Sequence, residues 1–117
     1  MKIQVNTDRH VEGSDALVRM VETELQSGLE RFEDRLTRVE VHLSDENGEN
    51  DGGGADKRCL LEARPAGMQP VVVTESADTV EQAFLSATQK MQSLLNTKFG
   101  RIDERDADAT IRHNESI

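Results

Sequence analysis

The chain has 117 residues, 23 of them acidic and 14 basic, for a net charge of −9. That length holds one small domain, or one domain with a tail. A single cysteine excludes an intramolecular disulfide framework and suits a reducing compartment, and no apolar run reaches the length that spans a bilayer, so a cytoplasmic protein is expected.

The acidity is unevenly placed. Residues 45–56 hold five acids and no base, and residues 103–117 hold five acids and two bases. The other 90 residues are nearly neutral, with 13 acids against 12 bases. A net negative charge therefore does not by itself exclude a nucleic-acid partner for the folded body.

In chain order, Lys2 to Asn6 alternates polar and apolar residues and predicts a short strand. Thr7 to Gly13 is a connection. Ser14 is a good helix N-cap, with Asp15 in the first turn. Leu17, Val18, Val21, Leu25, Gly28, Leu29 and Phe32 then share one helical face, ending near Phe32. Gly28 costs about 1 kcal/mol in a helix interior, and a close approach to a sheet would justify it. Arg38 to Ser44 alternates cleanly, with Val39, Val41 and Leu43 on one side: a strand with one buried face.

Residues 45–56 read as a mobile acidic hairpin loop, rich in glycine and without apolar period. Lys57 to Arg64 is the next strand, with Cys59, Leu61 and Ala63 turned one way; Pro65-Ala66-Gly67 is a turn. Gln69 to Ser76 is the last strand, with Pro70 near its start.

The stretch from Asp78 to Arg101 predicts a second helix. Val80, Ala83, Phe84, Ala87, Met91, Leu94, Leu95 and Phe99 recur at three- and four-residue steps. Asp78 can cap its start, with Glu81 three residues on, and Gly100 can stop it. From Gln82 to Ile102 there is no acid, and the charges are Lys90, Lys98 and Arg101. Residues 103–117 lack a convincing period and read as a fraying acidic tail. The order β-α-β-β-β-α gives an α+β fold: a two-layer sandwich of a four-stranded sheet with two helices on one face, over residues 1–102.

Few constellations carry chemistry. His10, His42 and His113 have no ligand spacing, and His42 with Glu40 supplies too few ligands for a metal. Cys59 lies on an apolar strand face and reads as core. There is no nucleophile triad, phosphate loop or dinucleotide fingerprint, so no catalytic residue, cofactor or metal is assigned. Arg9, Lys90, Lys98 and Arg101 are candidate phosphate contacts, or else ordinary solvated charges. Gln82, Ser86, Gln89, Ser93 and Asn96 form a polar uncharged stripe, a hydrogen-bonding face or simply a soluble one. The chain has no Trp or Tyr to stack bases, so any RNA would be read by backbone and shape.

Three segments resemble one family. Asp8-Arg9-His10-Val11 with Ser14-Asp15-Ala16-Leu17, then Val39-Glu40-Val41-His42-Leu43, then Asp78 to Met91 with Ala83 and Lys90-Met91 resemble, in order and spacing, the ribosome hibernation promoting factors, also called sigma-54 modulation proteins. The resemblance covers residues 1–101. It implies the same β-α-β-β-β-α fold, binding to the small ribosomal subunit in the channel of messenger and transfer RNA, and silencing of idle ribosomes. On this basis Arg9, Lys90, Lys98 and Arg101 are the expected RNA-binding residues. The departure is charge: members carry a dense basic cluster late in the second helix, where this chain intersperses Gln89, Gln92, Asn96 and Thr97. The alternative is an acidic protein-interaction module on the same scaffold, with a basic protein partner and no ribosome binding.

Overall fold

The computed structural model describes residues 1–46 and 56–115, with side chains described through Gly100. The elements are β1 (Lys2–Thr7), α1 (Asp15–Gly28), a 3-10 turn (Glu30–Phe32), β2 (Leu36–Asp45), β3 (Lys57–Pro65), β4 (Val71–Ala77) and α2 (Val80–Glu115). The strands lie side by side in the order β1-β2-β3-β4. β1 is parallel to β2, a pairing that needs a crossover, and α1 supplies it. β2, β3 and β4 form an antiparallel meander. This is the expected α+β architecture, with strand boundaries within one or two residues of those read from the alternation.

One apolar cluster joins both helices to one face of the sheet. Val39 pairs with Ala63, Val41 with Leu61, Leu43 with Cys59, and Leu61 with Val73, all buried. Val21, Leu25 and Leu29 from α1 and Ala83, Phe84, Ala87, Met91, Leu95 and Phe99 from α2 close over them. Val11 joins the same core from the connection before α1, where its amide bonds the Asp8 carbonyl at 3.2 Å.

The details differ from expectation in four places. Ser14 caps α1 as expected, its Oγ accepting from the Leu17 amide at 3.1 Å. α1 stops at Gly28, however, and a tight 3-10 turn then brings Phe32 into the core. Gly28 is explained by α2 rather than by the sheet. A side chain there would come within 2.9 Å of the Gln92 amide nitrogen, which donates instead to the Gly28 carbonyl at 2.8 Å. The cap of α2 is Thr79, not Asp78: Thr79 Oγ1 accepts from the Gln82 amide at 3.1 Å. Leu94, assigned to the core stripe, is 41 % exposed, while Thr88 is buried and returns its hydroxyl to the Phe84 carbonyl at 2.9 Å.

Two further boundaries concern the acidic segments. α2 runs through Gly100 to Glu115, so the expected stop at Gly100 is not taken. The loop read as residues 45–56 has its ends inside the hairpin: Asp45 closes β2, and the Glu46 amide bonds the Asp56 carbonyl at 2.9 Å. Residues 47–55 lie outside the described residues, as do the side chains of 101–117. At the other hairpin the turn after β3 places Gly67 at φ 71°, a backbone angle that favours glycine.

Candidate nucleic-acid interface

The four expected contacts do not form one cluster. Arg9 is exposed in the connection between β1 and α1. Its neighbour Asp8 ties that connection to the end of β2, through its amide to the Leu43 carbonyl and its carboxylate to the Asp45 amide. α2 begins at this same end, after β4 whose Ala77 pairs with Lys57. Lys98 lies 18 residues into α2, so about 27 Å along its axis from that end. Lys90 and Lys98 are closer, about 12 Å apart along the axis. Lys90 is exposed, with Nζ 4.0 Å from Glu75 Oε1, and Lys98 is half-buried. Arg101 is part of α2, and its side chain is outside the described residues.

Two arginines outside the four expected contacts stand at the far end of the helix layer. Because α1 and α2 run the same way, Phe32 and Phe99 meet there, ring centroids 5.6 Å apart. The Arg31 guanidinium lies 5.5 Å from the Phe32 ring and that of Arg35 lies 4.9 Å from Phe99. With Asn96 and Gly100 they line an open groove of about 440 Å³. The signal was present in the sequence: an aromatic-poor chain places two of three Phe at helix ends, one beside an arginine and within a turn of another.

Three arginines on the open face of the sheet are held by the protein's own carboxylates. Arg38 bonds Gln4 and reaches Glu40 at 3.4 Å. Arg64 bridges Glu40 at 3.2 Å and Glu62 at 2.7 Å, and its pKa is raised by the Glu62 contact. Arg58 meets Glu46 at 3.5 Å. At the hairpin end Lys57 sits between Asp56 at 3.0 Å and Asp45 at 3.4 Å, and its pKa is raised, first by the bond to Asp56.

The polar stripe on α2 is exposed at Gln82, Ser86, Gln89, Ser93 and Asn96. All three Phe are buried, which leaves no ring face for base stacking among the described residues. Cys59 is buried, and desolvation pushes its thiol up to about 12. Among the described residues no group of His, Cys, Asp or Glu could hold a metal ion, and no helix is long and apolar enough to cross a membrane.

The fold has known counterparts. The N-terminal domain of Protein Y from Thermus thermophilus superposes with a TM-score of 0.66 at 22 % identity, over 83 % of this chain and 98 % of that one. A ribosomal subunit interface protein from Coxiella burnetii gives 0.65 at 16 % identity, over 86 % and 99 %. At such identities the likeness speaks for the fold alone. No curated protein sequence matches the chain. The family model of the sigma 54 modulation protein / S30EA ribosomal protein matches residues 4–113, nearly the whole length. The chain belongs to the sigma 54 modulation protein / S30EA ribosomal protein family.

Proposed function

We propose that the protein binds the small ribosomal subunit and keeps idle ribosomes out of translation. The observation that carries this reading is the family match across residues 4–113, joined to the likeness to proteins named Protein Y and ribosomal subunit interface protein. The surface of α2 is compatible with it. From Gln82 to Gly100 its exposed positions are polar or basic, apart from Leu85 and Leu94, and hold no carboxylate to repel phosphate. Lys90, Lys98, Arg101 and, from the other end, Arg9 are the assigned RNA contacts. The stripe from Gln82 to Asn96 supplies hydrogen bonds to backbone and ribose. With so few cations, binding is weak and falls with salt on a shallow slope.

One observation favours the second reading, an acidic protein-interaction module that takes a basic protein partner. Arg38, Lys57, Arg58, Arg64 and Lys90 are all within reach of the protein's own carboxylates. Cosedimentation with purified small subunits at low and moderate salt separates the two. The ribosomal reading expects pelleting at low salt, lost in Lys90→Glu with Lys98→Glu and strengthened by removal of residues 103–117. A protein that never pellets, even at low salt, sinks that reading and leaves the interaction module.

A further inference from the structure

We infer that the outer edge of β4 accepts an extended acidic peptide as a fifth strand. Among the described residues β4 is an edge of the sheet, hydrogen-bonded to β3 alone. Edge strands in soluble proteins are ordinarily blunted by an internal proline, a bulge or an inward-pointing charge. β4 has no internal proline and no bulge, and its one inward-pointing charge already has partners of its own. Pro70 precedes it, and its ladder to β3 is unbroken from Ala63↔Val71 to Lys57↔Ala77. Its one charge, Glu75, turns to the helix layer, where the Ser86 hydroxyl donates to it at 3.4 Å and Lys90 lies 4.0 Å away.

The helix above this edge supplies a matching row. Ser86, Lys90, Leu94 and Lys98 follow one another at four-residue steps along α2. α2 turns back over β4 after a two-residue connection, so it runs antiparallel to the strand. Four helical residues advance about 6 Å, and two strand residues advance about 6.6 Å. With Lys90 and Ser86 fixed at Glu75, Leu94 falls near the level of Val73 and Lys98 near Val71. Leu94 is 41 % exposed on this flank and Val72 is 50 % exposed on the opposite face of the same strand. Among the described residues nothing fills the strand position beyond β4; an apolar group lines each side of it, and Lys98 and the Glu75-paired Lys90 bracket the helix side.

This geometry specifies the occupant. A strand added about 4.8 Å outside β4 sends alternate side chains towards the helix row and the others beside Val72, Thr74 and Ser76. The segment that fits has an apolar residue below Leu94, a carboxylate two residues to either side for Lys90 and Lys98, and an apolar residue beside Val72. α2 itself contributes no acid to this flank from Gln82 to Gly100, and the one carboxylate beside it, Glu75 of β4, lies 4.0 Å from Lys90. Self-pairing of two β4 edges is disfavoured, because it sets one lysine row against another.

The test uses the full-length protein alone, so its outcome is independent of ribosome binding. The probe is a short fluorescent peptide of alternating pattern, leucine flanked two residues away on each side by glutamate, followed by fluorescence anisotropy. Binding is expected, about tenfold weaker when the glutamates become lysines or when Lys90→Glu and Lys98→Glu are combined. N-methylation of alternate peptide amides should abolish binding in one register and spare it in the other, since one peptide edge pairs with β4. Amide exchange within Val71–Ala77 should slow at alternate residues. No binding, equal binding of the lysine peptide, indifference to both N-methylated registers, or a dimer of the free protein joined through β4 would each overturn the inference.

Discussion

Along β2, Val39, Val41 and Leu43 turn to the helices, while Arg38, Glu40 and His42 turn away, and the two sets are used differently. The inward residues join a cluster that includes both helices, and their contribution is burial of apolar area. The outward residues tie one another up: Glu40 holds Arg38 and Arg64, and Arg64 also holds Glu62. The inward face thus carries stability, and the outward face pairs Arg38, Arg58 and Arg64 with its own acids. Lys90, Lys98, Arg31 and Arg35 stand instead on the helix layer. Charge totals conceal this division, since the two faces share the same strands.

The largest expected effect is on the inward face. Phe84 is fully buried, and Phe84→Ala should cost about 3–5 kcal/mol in denaturant unfolding. A loss below about 1 kcal/mol would mean that the helix–sheet interface is not the main core.

Cys59 probes the same face by pH. Its thiol is pushed up to about 12 by burial, against an ordinary 9.0. Below the ordinary value both states keep the proton and stability is indifferent to this group. Between the two values the unfolded chain releases the proton and the fold does not, so stability should fall as pH rises there. Alkylation in the native state should be far slower than in the unfolded state at pH 9, and equal rates would contradict the burial.

A smaller effect distinguishes two neighbouring residues at the start of α2. Thr79→Ala should cost about 0.5–2 kcal/mol and Asp78→Ala markedly less, because Thr79 accepts the Gln82 amide. The reverse order in thermal melts would restore Asp78 as the cap. The smallest effect belongs to the outward face. Glu40→Gln removes charge from two ion pairs and should cost about 1 kcal/mol or less. A loss as large as that of Phe84→Ala would erase the contrast between the faces.

The inward face was legible in the sequence because burial leaves a period. Val39-Val41-Leu43 and Cys59-Leu61-Ala63 gave the strands and their shared side, and the stripes through Val21 and Phe84 gave the helices. What failed were choices between chemically similar neighbours. Asp78 and Thr79 both cap helices, and the structure alone shows which hydroxyl or carboxylate meets the Gln82 amide. Leu94 sits at a helical spacing that fits the core, but a row turned towards the β4 edge fits it too. Gly28 announced a close approach without naming the neighbour, which is Gln92, 64 residues away.

The interface was less legible still, because charges have no period. Lys90 and Lys98 were identifiable from the acid-free run in which they sit. Arg31 and Arg35 could not be joined to Phe99 until the parallel course of the helices brought their ends together. Arg9 shares a sequence neighbourhood with α1 and yet stands at the opposite end of the layer from Lys98.

The most direct test of ribosome binding by the helix layer is a titration of small subunits with labelled protein across a series of salt concentrations. The account predicts measurable binding at low salt and a logarithmic slope of about −2 to −4, the mark of a few phosphate contacts. Lys90→Glu with Lys98→Glu should remove binding or flatten that slope. Absence of binding at the lowest salt, or a slope unchanged by the double substitution, would contradict it.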